Sequence, residues 1–292
     1  MADVSVVSAV CPTPGSRVEM LRDRIAIALL LLPVVLWVIG IGGWVFALAI
    51  ALVLALCAAE YVLLYRRIGQ RASMPLAVGG VVVLAGTRAL SGFDHAPVAL
   101  AALCLLAMTW HLVDYERGAP ASGTDFGLTV GGALYLGWIG SYLISLRNLP
   151  DGEWWFLTAL PSVWLADSAA YSIGTRFGRH KMTPRLSPKK SWEGYLAGVG
   201  AGAASGAALG ALWSLGAGPG SSLGPWTGLA CGVVVAVLSP LGDVGISMVK
   251  RQMQVKDSGT LLPGHGGALD RVDSWLWAGV LGYYAAVLLG AG

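Results

Sequence analysis

The chain has 292 residues, 56% of them hydrophobic and only 12% charged, with a formal net charge of +3; its mean hydropathy is +0.69. Soluble domains carry about 25% charged residues, so this composition excludes an ordinary water-soluble domain and requires a membrane protein. In such a chain the placement of the basic residues says more than their sum, because basic loops favour anionic headgroups and nucleotide phosphates.

The opening MADVSVVSAVC has no basic n-region and a weak apolar core, so no signal peptide is expected there. Residues 1–24 are read as an N-terminal cytoplasmic segment, and Cys11 is not expected to be lipidated. A bilayer core of about 30 Å takes about 20 apolar residues per helix. The run Ile25 to Ala59 is free of charge and breaks at Gly40 to Gly43, which predicts a helical hairpin ending near Tyr65. Further helices are expected over Met74 to Thr87, Val98 to Val113, Phe126 to Leu146 and Trp154 to Ile173. The uncharged stretch Gly194 to Gly242 divides at Gly216 to Pro225, and Trp275 to Leu289 supplies the last helix. The expectation is an all-α polytopic bundle of about nine transmembrane helices, a single membrane catalytic domain over 25–292.

Nine crossings place the termini on opposite sides. With the N-terminus in the cytoplasm, every one of the 19 basic residues except Arg88 and Arg147 faces inward, as the positive-inside rule demands. Cys57, Cys104 and Cys231 fall singly in predicted helices without metal spacing and read as packing residues.

Polarity gathers in two inward loops. The first, DSAAYSIGTRFGRHKMTPRLSPKKSWEG, runs from Asp167 to Gly194 and carries Arg176, Arg179, Lys181, Arg185, Lys189 and Lys190 before its first compensating acid, Glu193. A basic loop of this kind is usually an orientation anchor. Here SPKKSWEG sets two lysines beside Ser187, Ser191 and a helix start, whose free N–H groups suit an anion. Asp167 lies inside an apolar stretch, where a carboxylate is a functional candidate.

The second loop runs from Gly242 to Ser274. Asp270 and Asp273, three apart at a helix start, share a face and could hold one hard cation between them; stabilisation by the helix dipole is the plainer explanation. Asp243, near the end of an uncharged helix, needs a partner, either a cation or Lys250 or Arg251. Pro263 to Gly267 reads as a turn whose glycines can take positive φ or admit a ligand, and His265 is a phosphate donor or a general acid, or equally a structural hydrogen-bonder. Glu60, close to Arg66 and Arg67, reads as a snorkelling, ion-paired residue.

The run S-M-V-K-R-x4-K-D-S-G-x2-L-P-G-H-G-G-A-L-D-R-V-D, Ser247 to Asp273, resembles the signature of the phosphatidate cytidylyltransferases, or CDP-diglyceride synthetases. D-S-A-A-Y, G-R-H-K and S-P-K-K-S-W-E-G resemble a second stretch of that family. Two departures stand out: Ala268 replaces a larger aliphatic residue, and Ile246 stands where many members have glutamate. The resemblance implies the reaction CTP + phosphatidate → CDP-diacylglycerol + pyrophosphate at a cytoplasm-facing site in the cell membrane.

The expected cofactor is Mg²⁺, with a second, monovalent cation also considered. Expected partners are CTP, phosphatidate and the membrane, with no nucleic-acid polymer and with a homodimer left open. The catalytic candidates are Asp243, Asp257, Asp270, Asp273, Lys256 and Arg271. Ser187, Lys189, Lys190, Ser191, Lys250, Arg251, His265, Gly266 and Gly267 are the substrate-binding candidates, and Asp243, Asp270, Asp273 and Asp167 the metal ligands. The lipid's own ionised phosphate is the nucleophile, so the protein must supply position and charge neutralisation rather than a base.

Three other readings compete. A CDP-alcohol phosphatidyltransferase would need D-G-x2-A-R-x8-G-x3-D-x3-D, and the only Asp-Gly pair, Asp151 and Gly152, is followed by EWW. A lipid kinase is not excluded by the lack of a P-loop. A transporter would place its polar groups near the middle of the bilayer, whereas here they cluster to one side.

Overall fold

The computed structural model describes residues 32–218, 220–259 and 266–291. Residues 1–40 form one unit and 41–292 a second. The described part of the first is apolar helix, belonging to α1 (Leu32–Ile41). The second unit is helical almost throughout. It comprises α2 (Gly43–Arg66), α3 (Met74–Ser91), α4 (Ala96–Glu116), α5 (Ser122–Ala133), α6 (Tyr142–Arg147), α7 (Gly152–Phe177), α8 (Trp192–Trp213), α9 (Pro225–Leu238), α10 (Pro240–Gln252) and α11 (Leu269–Ala286). A π-helical turn, Leu134–Ile139, joins α5 towards α6, and another, Val287–Ala291, extends α11.

Among the described residues, seven spans are long and apolar enough to cross a bilayer: Gly43–Arg66, Met74–Ser91, Ala96–Glu116, Ser122–Arg147, Trp192–Trp213, Pro225–Gln252 and Leu269–Ala291. The protein is therefore an all-α, multi-pass membrane protein. Two of the expected crossings stand outside that count. Helix α1 has ten described residues, and α7, with 26, carries Glu153, Asp167 and Arg176. Large apolar side chains face outward along the spans, among them Leu48 at 66% exposure and Leu105 at 70%, a surface that only lipid makes favourable. The fully buried side chains Leu54, Ile144, Trp155, Leu269 and Leu276 come from α2, α6, α7 and α11.

Glycine sets the closest packing. Along α8 the buried residues are Gly194, Gly198, Gly202, Gly206 and Gly210, one every four residues, and this spacing lines them on a single face. A Cβ on Gly206 would strike the Gly228 carbonyl of α9, and one on Gly198 would come within 3.0 Å of the Ala166 carbonyl of α7. Small residues let helices approach where lipid offers no hydrophobic drive to associate, so α8 is wedged between α7 and α9.

Between α7 and α8 the chain forms a small antiparallel hairpin, β1 (Lys181–Thr183) and β2 (Ser187–Ser191), pairing Lys181 with Ser191 and Thr183 with Ser187. The basic loop is thus a folded element, which its composition did not foretell.

The opposite ends of the helices are aromatic. Trp154 stacks on Trp213 with centroids 5.4 Å apart, and the Trp213 ring N–H donates to the Leu157 carbonyl at 3.2 Å. Arg88, which the sequence places towards the outer side, is 2% exposed. Its guanidinium lies 3.6 Å from the Phe93 ring centroid, 4.5 Å from Trp138 and 4.8 Å from Tyr142. The rings supply the cation–π attraction that solvent would otherwise replace. Arg147 pairs with Glu153 at 3.2 Å.

Candidate active site

Both polar loops meet at one cavity of about 420 Å³. One wall is apolar helix, with Ala166 and Ala170 from α7, Gly198 from α8 and Ala236 from α9; the other is charged, with Lys189 and Lys190 from β2 facing Asp243, Asp270 and Asp273. Asp167, on α7, also lines the cavity.

Local sequence explains the placement. Pro240 lacks an N–H and cannot continue the ladder of α9, so α10 begins there and its first turn carries Asp243. Next to it, Gly242 is a point of backbone contact with α11. A Cβ at that position would collide with the Asp273 carbonyl and lie 2.7 Å from Trp277. This contact brings Asp243 beside Asp273, and Asp243 acts electrostatically on both Asp273 and Asp167. With Asp270, four carboxylates from three helices therefore share the cavity.

Each carboxylate is differently engaged. Asp243 pairs with Lys190 at 2.7 Å and accepts from Ser247 at 3.4 Å. Asp273 accepts from the Ser274 N–H at 2.6 Å and hydroxyl at 3.3 Å. Asp270 is the most occupied: Lys250 reaches one oxygen at 2.6 Å. The other accepts from the Ser258 N–H at 2.7 Å, the Ser258 hydroxyl at 2.9 Å and the Gly267 N–H at 3.2 Å. Asp270 and Asp273 share a helix turn, as their spacing predicts, but Asp270 is taken up by Lys250, Ser258 and Gly267.

The basic wall begins where the sequence places it. Ser191 caps α8, its hydroxyl accepting from the Gly194 N–H at 3.2 Å, so Lys189 and Lys190 stand at a helix N-terminus, where the dipole favours anions. Lys190 also donates to the Pro240 carbonyl at 3.4 Å, and Ser187 lines the cavity. Glu193 ties the hairpin down, accepting from the Arg179 and His180 N–H groups at 3.1 Å and meeting the His180 ring at 2.6 Å.

Other candidates lie further out. Arg251 donates to the carbonyls of Leu186 at 3.4 Å and Val255 at 3.3 Å, bracing the hairpin against α10. Lys256, Asp257 and Arg271 are exposed. Gly266 takes φ +81°, as a turn glycine can. At Gly267 a Cβ would overlap the Ser258 hydroxyl and the Glu60 carboxylate, so it is the chain's own groups that approach this backbone. His265 lies outside the described residues.

Two residues gain importance that the sequence did not assign. Glu60 does not snorkel beside Arg66 and Arg67. It is 6% exposed and accepts from the Ala268 and Leu269 N–H groups, each at 3.0 Å, and from the Ser258 hydroxyl at 3.1 Å, so a carboxylate from α2 closes the N-terminus of α11. Ser258, 3% exposed, is shared by Glu60 and Asp270. Ile246 is 4% exposed and serves packing.

The donor set suits a hard cation. It is all oxygen, and among the described residues no three His, Cys, Asp or Glu side chains lie close enough to enclose an ion unaided. Magnesium is held in just that way, by one or two carboxylates with water and substrate phosphates completing its shell.

The sequence pattern of the family described as "Cytidylyltransferase family" matches residues 22–289. The chain belongs to that family. A phosphatidate cytidylyltransferase of Pseudomonas aeruginosa is 36% identical over 284 residues, covering 94% of this chain and 98% of its own. One from Synechocystis is 32% identical, covering 85% and 90%. One from Mycobacterium bovis is 31% identical, covering 91% and 86%. The match takes in α2 to α11, so every element that walls the cavity lies within it.

Proposed function

We propose that the protein is a phosphatidate cytidylyltransferase, converting CTP and phosphatidate into CDP-diacylglycerol and pyrophosphate in phospholipid biosynthesis. The observation that carries this reading is the two-sided cavity, in which cations at a helix start face carboxylates while apolar helices wall the rest. An anionic headgroup on acyl chains and a polyanionic nucleotide both find their counterparts there.

In the reaction a phosphate oxygen of phosphatidate attacks the α-phosphorus of CTP. The new P–O bond forms as the bond to the β-phosphate oxygen breaks, and pyrophosphate leaves. The attacking oxygen is already ionised near neutral pH, so catalysis is positioning and charge neutralisation. Lys189, Lys190, Ser187 and the first amides of α8 hold phosphate oxygens, and Lys190 can exchange its partner Asp243 for a phosphate within the same cavity. One or two of Asp243, Asp273 and Asp167 would hold Mg²⁺ with water and substrate phosphates completing its shell, and the bound ion would neutralise phosphate charge. Asp270 keeps Lys250, Ser258 and Gly267 in place, with Arg251 bracing the hairpin and Lys256, Asp257 and Arg271 at the rim. The site faces the cytoplasm, where CTP is available, and the chain crosses the cell membrane nine times.

The test uses purified protein, phosphatidate micelles, Mg²⁺ and CTP labelled at either the α- or the γ-phosphate. Label from the α-phosphate should enter the organic phase and require Mg²⁺. Label entering only from the γ-phosphate would identify a lipid kinase instead.

A further inference from the structure

Between α9 and α10 the helical ladder is interrupted. Pro240 has no N–H to offer the Ala236 carbonyl four residues earlier, and the turn that follows closes tightly, the Gly242 N–H donating to the Ser239 carbonyl at 2.9 Å. Asp243 comes next, in the first turn of α10, so a small rotation at this break moves its carboxylate against Asp273 and Lys190. The backbone contact of Gly242 holds the break on the side of α11.

On the side of α8 and the hairpin, two side chains hydrogen-bond to the backbone of the break among the described residues. Lys190 donates to the Pro240 carbonyl at 3.4 Å while it pairs with Asp243 at 2.7 Å. The Tyr195 hydroxyl donates to the Val237 carbonyl at 3.0 Å. The two ties differ in what the reaction asks of them. The Lys190 ammonium is a group that turns to phosphate, and it loosens its hold on the break when it does so. Tyr195 brings no cation to the cavity and has no phosphate to follow.

Tyr195 lines the same cavity as Pro240 and Asp243. It stands in the first turn of α8, one position beyond Gly194, whose N–H is held by the Ser191 cap. Its ring meets Trp192 edge-on, with centroids 5.7 Å apart and planes at 88°, which fixes the aim of the hydroxyl. A partly buried tyrosine hydroxyl ordinarily does no more than find an acceptor. This one joins the helix that starts the cationic wall to the backbone that sets the carboxylate opposite it.

We propose that Tyr195 is a positioning residue for the transfer reaction: its hydrogen bond to Val237 holds the α9–α10 break, so that Asp243 keeps its place when Lys190 turns to phosphate. The role in turnover rests on the transferase reading, whereas the tie itself does not.

Tyr195→Phe keeps the ring and removes the hydroxyl, and two measurements on the detergent-purified protein read the consequence. Deuterium uptake at the amides of Gly242 to Ile246 should rise about fivefold, the order that loss of one hydrogen bond permits. Tyr284→Phe, which gives up the 2.9 Å bond to Tyr142 at the far end of α11, should leave that uptake unchanged. Turnover of CTP and phosphatidate should fall about fivefold in Tyr195→Phe, yet no further when the substitution is added to Asp243→Asn, because residues acting through one group are not additive. Unchanged uptake, or an equal rise in Tyr284→Phe, would overturn the proposal. So would equal fold-losses of turnover with and without Asp243→Asn, the mark of a hydroxyl that serves the fold alone. Absence of cytidylyl transfer in wild type would defeat the transferase reading and with it the role in turnover, while uptake decides the tie in either case.

Discussion

Glu60 shows how one side chain can hold a site together without touching a substrate. Its two oxygens satisfy two amides at the start of α11 and share the Ser258 hydroxyl with Asp270. Leaving a buried donor unsatisfied costs about 1–3 kcal/mol, so Glu60→Ala should destabilise the protein by about 2–5 kcal/mol and slow turnover through a loosened α11. Thermal unfolding in detergent checks this, and a melting temperature within a degree of wild type would refute the capping role. Ile246→Glu should also lower stability, because it buries a carboxylate in a packed position. The sequence showed that the aspartates and lysines were worth singling out, since polar residues are costly in so apolar a chain. It could not show that Asp270 and Glu60 are joined through Ser258, because Glu60 and Ser258 are 198 residues apart and pair only once α2 and α11 are packed.

At the scale of elements, the wedge of α8 between α7 and α9 sets the cavity's apolar wall. Gly206→Leu should prevent close packing, because its side chain would meet the Gly228 carbonyl and backbone atoms of Gly232. The expected result is loss of folded, monodisperse protein on size-exclusion chromatography. Gly200→Ala, on an exposed face with nothing within 4 Å, should behave as wild type, and equal damage from both would argue against the glycine contact. The four-residue glycine period was legible in the sequence from Gly194 to Gly210 but drew no inference, since glycine there reads equally as a weakness in a helix. The helices themselves were legible because bilayer thickness fixes the length of an apolar run; their predicted bounds fell short where polar ends, such as Gly174 to Phe177 of α7, continue the helix. The β1–β2 hairpin was hidden because a short basic segment carries no periodicity to read.

For the whole molecule, the account joins a membrane topology to a reaction. If the cavity faces the cytoplasm, cysteines placed at Ser187 and at exposed Asp257, in a background lacking the four native cysteines, should react with an impermeant maleimide only after cells are opened. Ser258 is unsuitable for this purpose, being 3% exposed. Labelling of intact cells at either position would reverse the orientation. The central claim is that cytidylyl transfer occurs between the hairpin lysines and the carboxylates of α10 and α11. The most direct measurement is Mg²⁺-dependent turnover of CTP and phosphatidate by Asp243→Asn and Asp273→Asn beside their melting temperatures. A helix-dipole contribution is about 0.3–1 kcal/mol, whereas a carboxylate that neutralises the reacting phosphates should cost at least about 100-fold, or about 2.7 kcal/mol. The account predicts that loss in both variants with melting temperatures close to wild type. Retention of more than half the wild-type rate by either variant at saturating Mg²⁺ would contradict it.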